Sequence, residues 1–182
     1  MKKILAFSLT LSLFACGGSH RSEAELVADC NQKKMVFDED WNSGKEEKSK
    51  VEGDSILLLT EEILAEYPSA QGLPDVLYNA GEVSSNLAMF EKAIHYYSLF
   101  IEKFPKHEKA SYVMWLLGYQ HEQLGKADKA IEVFQNLRKN YPDSPWAENA
   151  RTKILELKDA QESAAQDAQN KKMLDSLDAA MK

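Results

Sequence analysis

The sequence contains little cysteine, proline or glycine: two Cys, five Pro and eight Gly among 182 residues. Two cysteines cannot form a disulfide framework or a four-cysteine zinc site. So few prolines and glycines exclude collagen-like and low-complexity chains. Positive charge is scarce as well, because 22 Lys and Arg stand against 29 Asp and Glu and leave a net charge of −7. A nucleic-acid-binding protein with a strongly basic face is therefore not expected.

Motifs that carry catalysis are also missing. The four histidines, His20, His95, His107 and His121, have neither His-x-x-x-His spacing nor a cluster of further ligands near them in the sequence. No Gly-rich phosphate loop, Gly-x-Ser-x-Gly sequence or zinc-type motif occurs. We therefore predict that the protein is not an enzyme, has no catalytic residues and uses no metal or cofactor.

One uncharged hydrophobic run, residues 4–15, follows the basic Lys2 and Lys3. Twelve residues are too few for an ordinary membrane-spanning helix, so residues 1–15 are predicted to be a signal peptide. The residues around Cys16 resemble the bacterial lipobox, which implies that Cys16 is acylated and becomes the first residue of the mature protein. By the same resemblance, Gly17 after this cysteine favours the outer membrane of a Gram-negative cell, with the protein facing the periplasm.

The next segment is poor in apolar residues and sustains no helical period. We therefore predict that residues 16–54 form the lipidated cysteine and a flexible, partly disordered tether. Cys30 would lie in this tether, either free or bonded to another chain, because acylated Cys16 cannot pair with it. The run Asp38, Glu39, Asp40 lacks the alternation of a calcium loop and is predicted to be solvated.

Internal repetition dominates the following hundred residues. The pairs Tyr67-Pro68, Phe104-Pro105 and Tyr141-Pro142 recur at intervals of 37 residues. Apolar residues at three- and four-residue spacing predict two helices in each unit, and no alternating strand pattern occurs. The predicted fold class is therefore all-α, built from antiparallel helix hairpins.

These repeats resemble the tetratricopeptide repeat (TPR) family, which places a Gly in the first helix, a small residue and then an aromatic in the second, and a Pro after it. The matching residues are Gly81, Ala93, Tyr97 and Pro105, and then Gly118, Ala130, Phe134 and Pro142. The repeat is longer than the usual length of about 34 residues, and in this it is similar to envelope members of the BamD and YbgF (Tol-Pal) types. The resemblance implies a short TPR-like solenoid over residues 55–158 that serves protein–protein interaction.

The first helices of such solenoids line the concave surface, so the resemblance implies that a peptide binds there. The candidate groove residues are Tyr78, Glu82, Tyr112, Trp115 and Tyr119. Aromatic side chains offer a large contact area for few rotamers lost. Packing between the hairpins is the alternative for these aromatics, above all for Trp115 and Tyr119. The predicted partners are envelope proteins, with the membrane contacted only through the lipid anchor and no nucleic acid bound.

Residues 159–182 are predicted to form a C-terminal helical tail. Its last part contains a short apolar stripe, Met173, Leu174, Leu177 and Met181. This tail is either a frayed terminal helix or a docking helix for a partner or a second copy. The leading hypothesis is an outer-membrane-anchored scaffold in outer-membrane protein assembly or Tol-Pal-type envelope maintenance. The alternative is a self-associating structural lipoprotein.

Overall fold

The computed structural model describes residues 20–181, and this part of the chain contains helices and no strand. The helices are α1 (Glu23–Asn42), α2 (Glu46–Glu66), α3 (Leu73–Asn86), α4 (Phe90–Lys103), α5 (Ala110–Gln123), α6 (Ala127–Asn140) and α7 (Pro145–Ala180). Consecutive helices pack as hairpins, each hairpin packs on the next, and α7 packs on α6 and α5. The predicted all-α, TPR-like fold class is confirmed. The predicted signal peptide and Cys16 lie outside the described residues.

The prediction of a flexible tether is wrong for the described part of that segment, because α1 and the first half of α2 occupy it. Ser22 begins α1 with a capping box, in which its hydroxyl accepts from the Glu25 N–H and the Glu25 carboxylate accepts from the Ser22 N–H at 2.8 Å. Leu26, Cys30 and Phe37 of α1 are fully buried. The helical domain therefore begins at the start of α1, and the predicted boundary at residue 55 falls inside α2.

Small and polar residues fill the contacts of this first hairpin. In α2, Ser49 and Thr60 are fully buried, and Gly53 lies at a crossing point. A Cβ built on Gly53 would meet the side chains of Leu87, Val83 and Phe37, so α1, α2 and α3 approach one another closely there. These contacts need small side chains more than apolar ones. The apolar residues of this segment therefore show little helical periodicity in the sequence.

The two later hairpins place a glycine against an aromatic ring. A Cβ on Gly81 would meet the ring of Tyr97, and a Cβ on Gly118 would meet the ring of Phe134. Both rings are almost completely buried, as are Ala93 and Ala130. A hydrogen bond joins the ends of two successive repeats: the hydroxyl of Tyr141, which follows α6, donates to the carbonyl of Pro105, which follows α4, at 2.8 Å.

The last helix, α7, extends well past the packed domain. It begins at the N-cap Ser144, and its buried side chains are Ala147, Ala150 and Ile154. The side chains of residues 158–179 are all exposed. The predicted boundary at residue 158 therefore marks the end of packing, whereas the helix itself continues. Within residues 20–181, no helix combines the length and the apolarity that crossing a bilayer requires.

Candidate protein-interaction site

A row of aromatic side chains crosses three successive first helices. Tyr78 of α3 lies 6.3 Å from Tyr112 of α5, and Tyr112 lies 4.5 Å from Trp146 of α7, measured between ring centroids. All three side chains are half-buried, so each keeps part of its surface open to solvent. Trp146 was not among the predicted site residues, although the signal was present: the three aromatics are spaced 34 residues apart.

A charged group borders the first ring of this aromatic row. The Tyr78 hydroxyl donates to Glu82 Oε1 at 2.6 Å, and Lys34 of α1 places its Nζ 3.4 Å from Glu82 Oε2. Lys34 also pairs with Asp38 at 2.6 Å. Burial raises the pKa of Tyr78 well above its usual range, and the hydrogen bond to Glu82 raises it further. The surroundings of Tyr78 therefore favour the protonated hydroxyl, which donates this hydrogen bond.

Lys109 connects the charged border to the next repeat. Its Nζ lies 4.8 Å from the centre of the Tyr78 ring and 2.8 Å from Asp75 Oδ1. A cation over an aromatic face is attracted by the ring quadrupole. The surface where α3 and α5 adjoin thus carries aromatic, cationic and carboxylate groups side by side.

The remaining predicted site residues of α5 lie in different surroundings. Trp115 packs on Phe134 of α6 at 5.1 Å and on Trp146 of α7 at 5.8 Å, and it is half-buried. It therefore belongs to the packing between helices and joins the aromatic row through Trp146. Tyr119 is 39% exposed, the most open of the predicted aromatics. The structure thus brings Tyr78, Glu82 and Tyr112 together, and Tyr119 lies about two helical turns beyond Tyr112 along α5.

The histidines noted in the sequence are dispersed over the helical domain. His95 stands edge-on to Tyr96 and His107 edge-on to Phe100, each at 5.3 Å. Burial lowers the pKa of His121, and the nearby charges of Lys126 and Lys129 lower it further. No group of three His, Cys, Asp or Glu residues within residues 20–181 is arranged to hold a metal ion.

Cys30 is free and completely buried. Burial raises the pKa of its thiol to about 11, although a hydrogen bond with Thr60 acts in the opposite direction. Of the two alternatives left open by the sequence, the structure therefore supports a free thiol. A bond to another chain would require this core position to open.

The family model described as "YfiO: Outer membrane lipoprotein" matches residues 60–167, more than half of the chain. No curated protein matches the sequence. Among solved structures, one titled "MamA RS-1 ArsTM double mutant" has 19% sequence identity and a TM-score of 0.28, with 72% of this chain and 97% of that chain covered.

Proposed function

This chain belongs to the YfiO outer membrane lipoprotein family, and on that premise we propose that it is a scaffold of the cell envelope that binds a partner protein along its first helices, α1, α3, α5 and α7. The observation that carries this proposal is the half-buried aromatic row of Tyr78, Tyr112 and Trp146. Such rings give a partner segment a large contact surface at a small cost in side-chain entropy.

The charged border would define which segments bind. Beside the same rings, Glu82 accepts from the Tyr78 hydroxyl, Asp75 accepts from Lys109, and Lys34 forms an ion pair with Glu82. An extended or helical segment with an apolar side chain and neighbouring polar groups fits this surface. Binding would be a simple equilibrium without a covalent step, and the protein would not be an enzyme. Outer-membrane protein assembly and Tol-Pal-type envelope maintenance are the processes we propose for it.

The anchor would hold this scaffold close to the membrane. If Cys16 carries the lipid, four residue steps separate it from His20, which corresponds to a reach of roughly 14 Å. The folded part begins immediately afterwards, because Arg21 pairs with Asp29 at 3.1 Å and with Glu62 at 2.6 Å. We expect the domain to stay at the periplasmic surface of the outer membrane, in contrast to the long flexible tether that the sequence predicted.

Site-specific photo-crosslinking in native membranes tests the proposed binding face. We would place the crosslinking residue at Tyr119, next to the aromatic row along α5, and at the exposed Gln135 of α6 as the matched control. The expected result is a discrete adduct from position 119 that is absent from position 135. Adducts of equal yield at both positions would contradict the proposal.

A substitution series then tests the row itself. Tyr112→Ala should weaken capture of that partner by about tenfold, on the order of 1–2 kcal/mol for an aromatic contact residue. Tyr112→Phe keeps the ring and should retain binding. Circular dichroism spectra of both variants must match the parent, so that lost capture is not mistaken for lost folding.

A further inference from the structure

An apolar groove lies on the opposite side of the hairpins, between the second helices α2 and α4. We call it the outer groove; it has a volume of about 700 Å³ and is lined chiefly by Asp54, Leu57, Leu58, Glu61, Glu91 and Tyr96. Leu58 is 72% exposed. The Tyr96 hydroxyl donates to Glu61 at 2.7 Å, which holds the ring as one wall of the groove.

Leu58 is an apolar residue at a position that is polar in the later repeats. One and two repeats later, at intervals of 37 residues, the same position is occupied by His95 and Glu132. Polar residues are the ordinary choice on a solvent-facing helix surface, and a lone exposed leucine needs no explanation. Here, however, Leu58 lines the groove together with Leu57 and the Tyr96 ring and extends its apolar surface. The groove is therefore a feature of the first repeat that the later repeats do not copy.

A second unpartnered apolar surface lies near the end of α7. We call it the terminal stripe; its members, between 54% and 81% exposed, are Met173, Leu174, Leu177 and Met181. The exposed part of α7 is roughly 33 Å long at 1.5 Å per residue. Most of the stability of a helix in a protein comes from tertiary packing, and the side chains of residues 158–179 are all exposed. Within residues 20–181, the last hydrogen bond from α7 to another helix joins Gln161 to Asp128 at 2.8 Å.

The two surfaces match in length, and basic residues flank the stripe. The groove follows α2 from residue 54 to residue 61 and the stripe follows α7 from residue 173 to residue 181, roughly 10 and 12 Å of helix. Asp54, Glu61 and Glu91 outnumber the single Lys92 in the groove. Lys171 and Lys172 precede the stripe and Lys182 follows it in the sequence, whereas Asp175 and Asp178 lie within its span.

We propose that the terminal stripe of one chain docks in the outer groove of a second copy. One chain cannot satisfy both surfaces by itself, because α7 packs on α5 and α6 and continues as one helix to Ala180. No Gly or Pro follows Pro145 to let it turn back towards α2 and α4. Since the donor and acceptor surfaces differ, the contact is head-to-tail and can extend into short chains of molecules.

Complementation between variants tests this arrangement in the full-length protein in detergent. Leu58→Glu introduces the residue that the third repeat carries at this position, and Leu177→Glu removes the stripe. The matched control is Leu155→Glu, since Leu155 lies on the same helix, is 53% exposed and is outside the stripe. All three positions are exposed, so folding should be retained. In sedimentation experiments, the parent and Leu155→Glu should show masses that rise with concentration, whereas each of the other variants should stay monomeric.

Mixing the two monomeric variants gives the decisive result. Leu58→Glu keeps its stripe and Leu177→Glu keeps its groove, so the mixture should form dimers and nothing larger. A mixture that stays monomeric, while the parent associates, would overturn the proposal. Self-association of Leu58→Glu alone, with Leu177→Glu monomeric, would indicate pairing of stripe with stripe and would overturn it as well. A parent protein that is monomeric at all concentrations would also overturn it.

Cysteine crosslinking gives an independent measurement of the same contact. Chains with Leu58→Cys and chains with Leu177→Cys, carrying different tags, should form a mixed disulfide under mild oxidation. The parent chain is the control for Cys16 and for Cys30, which is buried. If the mixed species is no more abundant than the pairing of Leu155→Cys with Leu58→Cys, the proposed docking is wrong.

Discussion

The ring of Tyr97 occupies the space in which a side chain on Gly81 would stand. A Cβ built on Gly81 would meet Cε1, Cδ1 and Cζ of that ring, and Gly118 has the same relationship with Phe134. This contact sets how closely the two helices of each repeat hairpin approach.

Gly81→Ala should therefore destabilise the protein. Two effects oppose each other: alanine favours a helix over glycine by up to about 1 kcal/mol, and overpacking a close-packed core costs about 1–3 kcal/mol. Because the ring is buried and cannot move freely, we expect overpacking to exceed the gain. Urea unfolding measures the net change. Adding Tyr97→Leu to Gly81→Ala should recover part of the loss, and a stabilising Gly81→Ala would contradict the account.

Phe37→Ala tests the finding that residues 23–42 belong to the folded domain. Phe37 is fully buried and stacks on Trp41 at 5.8 Å. Truncation of a buried phenylalanine costs about 3–5 kcal/mol. Its neighbour Val36 is 41% exposed, so Val36→Ala should change the unfolding free energy far less. Thermal and urea unfolding followed by circular dichroism would measure both. Equal, negligible effects would indicate a tether instead of a packed helix.

Cys30 should make stability fall at high pH. Burial raises the pKa of its thiol to about 11 from an ordinary value of 9.0. Between these values the unfolded chain has lost the thiol proton while the folded chain retains it. Raising the pH from 9 to 11 should therefore destabilise the protein by on the order of 2 kcal/mol. Cys30→Ala removes this contribution, so the difference between the two pH profiles isolates it from the titration of lysines and tyrosines.

The accessibility of the same thiol gives a second test. A thiol reagent at neutral pH should modify Cys30 only when the protein unfolds. Labelling rates that stay high in the absence of denaturant would contradict its burial.

His121 should make stability fall at mildly acidic pH. Burial lowers its pKa below 6.5, and Lys126 and Lys129 repel the charged form, whereas Glu132 favours it. As the pH falls below 6.5, the unfolded chain takes up a proton more readily than the folded one, so stability decreases. His121→Gln should flatten this part of the pH profile. An unchanged slope would mean that other groups are responsible.

The repeated hairpins could be recognised from the sequence because their chemistry recurs. Gly81 and Gly118, and the aromatics opposite them, stand at the same interval of 37 residues as the helix-ending Pro pairs. Each apolar side chain at helical spacing faces the neighbouring helix, so local pattern and packing agree. The first hairpin lacked such a pattern, since its buried set includes Ser49, Gly53 and Thr60. Its helices are stabilised by contacts with distant residues such as Val83 and Leu87.

The candidate site, like the fold, was predicted only in part from the sequence. The sequence by itself determined which residue types lie on the first helices, and it identified Tyr78, Glu82 and Tyr112 as neighbours along one face. Only the tertiary structure decided that Trp115 packs on Phe134, that Trp146 completes the row, and that Lys34 of α1 reaches Glu82. Helical periodicity specifies the direction of a side chain around its own axis. Which side chains meet depends on how neighbouring helices are stacked, and that stacking results from the close contacts of glycines and small residues between the helices.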